Sequence, residues 1–183
     1  MAANLQNGSG RRGNPWRIAV WGAATCLLLT PWVAMQFTQE VNWTGFDFLV
    51  FGTMLLVACG TYELAAWKTG NTAYRAAAGV AVAAAFVLVW INLAVGIIGS
   101  EHNPANLMFG GVLGVGVIGA IIARFQPQGM AGALIATALA QALVGAIALV
   151  AGWGREAVVF SGFFVALWLA SALLFRKAAL QRA

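Results

Sequence analysis

The sequence predicts an all-α protein, a polytopic bundle of six transmembrane helices, and three observations carry that prediction. The 183 residues are 62% hydrophobic and 8% charged, with a mean hydropathy of +0.85, whereas soluble domains run near roughly 45–50% apolar and about 25% charged. The apolar stretches are continuous and about 20 residues long, the length that crosses a bilayer as a helix, with none of the alternation of a barrel strand. The basic residues fall in short polar breaks at the ends of those stretches. No linker is long enough to divide the chain, so residues 14–176 read as one transmembrane domain between a 1–13 tail and a basic 177–183 tail.

Residues 1–13 are rich in Gly, Asn and Ser and end in Arg11-Arg12-Gly13, a composition that predicts a disordered tail. Asn14-Pro15 then reads as a helix cap followed by a proline at the first helical position. The first span covers about 18–37. Its basic flank looks like a signal peptide, but it lacks a convincing A-x-A cleavage site and further spans follow, so an uncleaved helix is expected. Pro31 predicts a kink or an early end. A polar connection, 36–44, leads to a second span over about 46–67, with Asp47 at one end and Glu63 near the other. After the short 68–72 loop a third span runs over about 73–99, long enough to tilt. Gly99 suits a left-handed stop, and Asn103-Pro104 repeats the cap-then-proline start. Between them lies a tight polar hairpin holding Glu101 and His102, the one histidine of the chain. Spans over about 104–125, 130–152 and 157–175 complete the six.

Six spans put both termini on one side. Of the ten Lys and Arg residues, nine (Arg11, Arg12, Arg17, Lys68, Arg75, Arg124, Arg176, Lys177 and Arg182) fall on that side and only Arg155 on the other. The positive-inside rule therefore predicts cytoplasmic termini. The net charge of +5 and pI near 10.0 are topology signals scattered over short segments, which excludes a nucleic-acid groove. Trp16 and Trp67 fall at the inner interface and Trp32, Trp43 and Trp153 near the outer one, as aromatic belts require, while Trp21, Trp90 and Trp168 lie deeper as packing residues. Cys26 and Cys59 sit inside apolar runs and read as small buried hydrophobes.

Few residues offer chemistry. Asp47 and Glu63 are carboxylates within or beside a span, which makes them candidates for ion or proton coupling. Asn92 and Gln141 lie inside spans and are expected to face inward, as polar glue between helices or as solute contacts. Glu101 and His102 form a solvated turn with a pH-sensing alternative. One histidine beside one carboxylate falls short of the three or four ligands of a zinc site. There is no Ser–His–acid set, no phosphate loop after a strand and no HExxH. No enzyme and no cofactor are therefore expected. Small residues recur at helical spacing: Gly110/Gly114, Gly116/Ala120 and Gly119/Ala123 in the fourth span, and Gly129, Ala133, Thr137, Gln141 and Gly145 in the fifth. Such faces let backbones approach closely in lipid, so the Gly110, Gly114 and Gly119 positions are expected to pack helices of the same chain.

Three stretches carry a family resemblance: Val33-Ala34-Met35-Gln36-Phe37-Thr38 with Glu40-Val41-Asn42-Trp43, Trp90 through Met108, and Ala123-Arg124-Phe125 with Gly129-Met130. Over roughly residues 25–150 the chain resembles an uncharacterised family of small bacterial polytopic inner-membrane proteins. The resemblance implies a multi-pass protein of the bacterial inner membrane and carries over no activity or functional residue. The expected partners are the lipid bilayer and a membrane-protein partner or a second copy of the chain. The functional expectation is a non-enzymatic accessory or scaffolding subunit of a membrane assembly. Its rival is a small-solute or ion transporter or channel built on the polar residues within the spans.

Overall fold

The computed structural model describes residues 15–181, the side chain of Pro15 excepted; the 1–13 tail, the Asn14 cap, Arg11, Arg12 and Arg182 lie outside the described residues. All regular structure among them is helical: α1 Pro15–Ala34, α2 Gly45–Trp67, α3 Thr72–Ala94, a single 3-10 turn Pro104–Asn106, α4 Leu107–Ile122, α5 Pro127–Val150 and α6 Arg155–Leu180. Six helices are long and apolar enough to cross a membrane, α4 counting together with the turn that leads into it. The fold is therefore that of a multi-pass helical membrane protein. It divides into two compact units, Met1–Cys59 and Gly60–Ala183.

In the first unit α1 carries no charge beyond Arg17 in its first turn, and among its described side chains only Ala24 is buried. Thr25 and Thr30 return their hydroxyls to the Trp21 and Cys26 carbonyls at 2.9 and 2.8 Å, which satisfies them without a partner helix. Pro31 does not end the helix, which runs on to Ala34. The start of α2 is closed by Thr44 and Asp47: the Asp47 carboxylate accepts from the Thr44 N–H and hydroxyl, both at 2.7 Å. This reciprocal arrangement is a capping box. Trp43 packs edge-on against Phe48 and Phe51.

The second unit is built on the α5–α6 seam. One row of buried residues on α5 runs through Pro127, Ala131, Leu134, Ala138, Gln141, Gly145 and Ala148, beside a second at Ala133, Thr137 and Val144, and one on α6 runs through Ala157, Ser161, Phe164, Trp168, Ser171, Phe175 and Ala178, with Ala172 beside it. The first row on α5 and the row on α6 step by four and three in turn, the period of a coiled-coil seam. A Cβ placed on Gly145 would lie 2.9 Å from the Ser161 Cβ, which fixes the antiparallel register. That register sets small residues opposite large ones, Ala131 against Phe175 and Ala138 against Trp168. α4 packs on the neighbouring face of α5, where Gly119 meets Ala133 and Gly116 meets Thr137. α3 packs on α6, tied by the Ser171 hydroxyl donating to the Ala77 carbonyl at 2.7 Å and by Tyr74 edge-on to Phe175.

At one end of this unit the 68–72 connection, the α4–α5 turn and the end of α6 come together. Asn71 caps α3 through the Tyr74 N–H and donates to the Gln181 side chain at 3.1 Å. The Tyr74 hydroxyl donates to the Phe125 carbonyl at 2.9 Å, and the Lys68 ammonium sits 5.0 Å from the Phe125 ring. Arg124 and Phe125 turn the chain with φ of 49° and 58°. α6 continues past Lys177 to Leu180, so the residues expected as a tail begin as helix.

The largest departure from expectation is the end of α3. The helix stops at Ala94, five residues before Gly99, and Gly96 (φ +74°) is the first left-handed residue after it. The chain then folds back on itself and buries Ile97 and Ile98 in the core. Gly96 permits this: a Cβ there would lie 2.4–2.6 Å from the backbone of Ser100 and Glu101.

Candidate functional site

Two places concentrate polar side chains in the second unit: the loop over the end of α3, and the middle of the α5–α6 seam. In the loop the organising residue is Asn106. Its Oδ1 accepts from the Ile97 and Ile98 N–H groups at 3.1 and 2.9 Å, and its Nδ2 donates to the Ile98 and Ser100 carbonyls at 3.3 and 2.8 Å. Four bonds from one buried carboxamide replace the helical bonds this apolar stretch has given up. Asn103 caps the 3-10 turn by accepting from the Ala105 N–H at 3.0 Å, with Pro104 at its first position. The regular part of α4 thus begins only at Leu107.

Glu101 and His102 stand at the tip of this loop, joined by a 3.2 Å contact between Glu101 Oε1 and His102 Nδ1, with the imidazole 88% exposed. Asp47 belongs to the other unit and is occupied by its helix cap. Glu63 is half-buried on α2 and engaged in an interaction of its own. Arg75 donates to the Thr69 and Ala66 carbonyls, both at 2.9 Å, and so closes the end of α2. Among the described residues no three His, Cys, Asp or Glu side chains gather as a metal site requires.

The seam is different. Gln141 is fully buried, at 0% exposure, and neither atom of its carboxamide has a hydrogen-bond partner among the described residues. The Ser161 hydroxyl and the Trp168 indole N–H, each residue 2% exposed, are likewise unpartnered. In the register fixed by Gly145 and Ser161, Gln141 lies between the Ser161 and Trp168 layers. Half-buried Asn92 donates back to the Leu88 carbonyl at 2.8 Å, and its buried Oδ1 has no partner among the described residues. Ser161, Trp168 and Asn106 were not singled out as polar sites from the sequence. The signal was present in the four-and-three spacing of the fifth and sixth spans, where a serine and a tryptophan share positions with alanine and phenylalanine.

The glycines of α4 separate into two groups. Gly119 and Gly116 meet α5, whereas a Cβ placed on Gly110, Gly111 or Gly114 would touch nothing within 4 Å. Gly110 and Gly114, expected to pack helices of the same chain, thus meet no other helix of the second unit. Positions 114 and 116 are two residues apart, about 200° around a helix, so only one of the two stripes can face α5.

Fold and site together define a class, the multi-pass helical membrane protein with a polar layer in its core. Compared with known proteins, the chain matches no family model, no curated protein and no solved structure.

Proposed function

We propose that this chain is a non-enzymatic subunit of an assembly in the bacterial inner membrane, held there by six spans with both termini in the cytoplasm. The observation that carries this reading is the uncovered Gly110/Gly111/Gly114 face of α4. In hydrocarbon, small residues gain by letting another helix approach closely, and this stripe stays open while Gly116 and Gly119 pack α4 onto α5. The partner is another membrane helix, from a second copy or from a different protein. Affinity purification in mild detergent tests this: the wild type should bring down a stoichiometric membrane partner or a second copy, and Gly110→Leu should lose it.

The orientation rests on the basic residues. Lys68, the α4–α5 turn carrying Arg124, and the end of α6 with Arg176 and Lys177 share one end of the second unit, and the positive-inside rule assigns that end to the cytoplasm. Cysteines placed at positions 70 and 128 should resist labelling from the periplasmic side of intact cells; efficient labelling of either would reverse the threading.

A second reading, a small-solute transporter, draws on the unpartnered Gln141, Ser161 and Trp168 in the seam. Uptake assays on Gln141→Leu separate the two readings, since an assembly role predicts no change in solute flux.

A further inference from the structure

The unpartnered groups of the seam ask for an occupant independently of the assembly reading. Gln141 offers two N–H donors and one carbonyl acceptor, Ser161 one of each, and Trp168 one donor. All three are at least nine-tenths buried and none bonds to anything among the described residues. Hydrocarbon cannot satisfy them, and leaving a buried polar group unpaired costs free energy at each site. Each step of the four-and-three pattern rises about 5 Å along the axis. Ser161 and Trp168 therefore flank Gln141 by about one such step on either side, beyond the reach of a direct bond for atoms at the same angular position.

The chemistry of the surroundings narrows what can sit there. The neighbouring buried residues of the seam, Ala138, Val144, Gly145 and Phe164, carry no charge, and the buried polar residues of this unit are all neutral. An ion would have no counter-charge in a medium where bare charge is costly. The occupant must be neutral, small, and able both to donate and to accept. On one side of Gln141 the helices approach closely at Gly145 and Ser161, where a Cβ on Gly145 would lie 2.9 Å from the Ser161 Cβ.

We propose that the α5–α6 seam traps water at the level of Gln141, held by the Gln141 carboxamide, the Ser161 hydroxyl and the Trp168 indole N–H. Ser161 and Trp168 are too far apart for one water to reach both, so two are needed: one accepts from Gln141 Nε2 and donates to Ser161 Oγ, and the other accepts from the Trp168 indole N–H and donates to Gln141 Oε1, which meets every orphaned group. Buried waters typically make about three such bonds.

Radiolytic hydroxyl labelling of the full-length protein in lipid nanodiscs, read by mass spectrometry, tests this. A short X-ray pulse converts water to hydroxyl radical where it sits, and the nearest side chain is oxidised. Phe164 and Phe175 form an internal control: both lie on the α6 seam, both are fully buried, and only Phe164 is at the Gln141 level. Phe164 should be oxidised several-fold faster than Phe175, and Gln141→Leu should bring it down to the Phe175 rate. Equal slow rates in the wild type would mean a dry seam and overturn the proposal. Equal fast rates would mean an open seam and overturn it too. Faster Phe164 oxidation that survives Gln141→Leu would place the water elsewhere.

Discussion

The two units of this protein solve the same problem, living in hydrocarbon, in opposite ways. In the first, α1 is apolar beyond Arg17 and leans on little: its threonines bond to their own helix and most of its surface is uncovered. In the second, four helices close over buried Gln141, Thr137, Ser161 and Ser171, and glycines bring backbones into contact. Lipid is as apolar as a leucine, so burying leucine against leucine gains little there; close backbone contact and satisfied polar groups are what hold helices together. Stability should therefore be concentrated in the second unit, at the glycines and the carboxamides.

Substitution can break that contrast, and the largest effect is expected at Gly96. Gly96→Val places a branched side chain at φ +74° against the Ser100 backbone, and should cost about 3–5 kcal/mol, at the upper end for a single residue. The reference is Gly22→Ala in α1, where a Cβ meets nothing and helix propensity alone predicts a gain of up to about 1 kcal/mol. Steric-trapping measurements of unfolding in bicelles would check both; comparable losses would erase the distinction between the units.

Asn106→Ala comes next. It orphans the buried Ile97 and Ile98 N–H groups and should cost about 2–4 kcal/mol. Removing the nearby cap with Asn103→Ala should cost only about 0.5–2 kcal/mol. Thermal denaturation followed by size-exclusion chromatography would rank the pair, and the reverse order would mean that the loop is held by its cap and not by its clamp. The smallest effect expected is that of Ser171→Ala, about 0.5–1.5 kcal/mol for one interhelical bond to Ala77. A loss well above that in the same assay would give Ser171 a packing role beyond its hydroxyl.

Much of this was legible in the sequence because the bilayer imposes a length and a hydropathy on every span. The six helices and the all-helical class follow from that alone. The end of α3 did not, because Ile97 and Ile98 are as apolar in a loop buried by protein as in a helix facing lipid, and hydropathy does not tell the two apart. Asp47 read as a coupling carboxylate since its distance from Thr44, three residues, matters only once the helix is known to start between them. The α4 glycines show a third kind of gap. Spacing reveals that a stripe exists, but the side it faces depends on where α5 lies, and the chain carries two stripes to choose from.

The assembly reading turns on that choice, and one paired experiment tests it most directly. Gly119→Leu and Gly114→Leu add the same bulk to the same helix, one against Ala133 at 2.8 Å and the other into open space. Thermal stability and co-purifying partners should be measured for both in the same detergent. The account predicts that Gly119→Leu loses folded protein, while Gly114→Leu melts like the wild type and elutes without its partner or second copy. A Gly114→Leu protein that stays folded and keeps the same company as the wild type would contradict it.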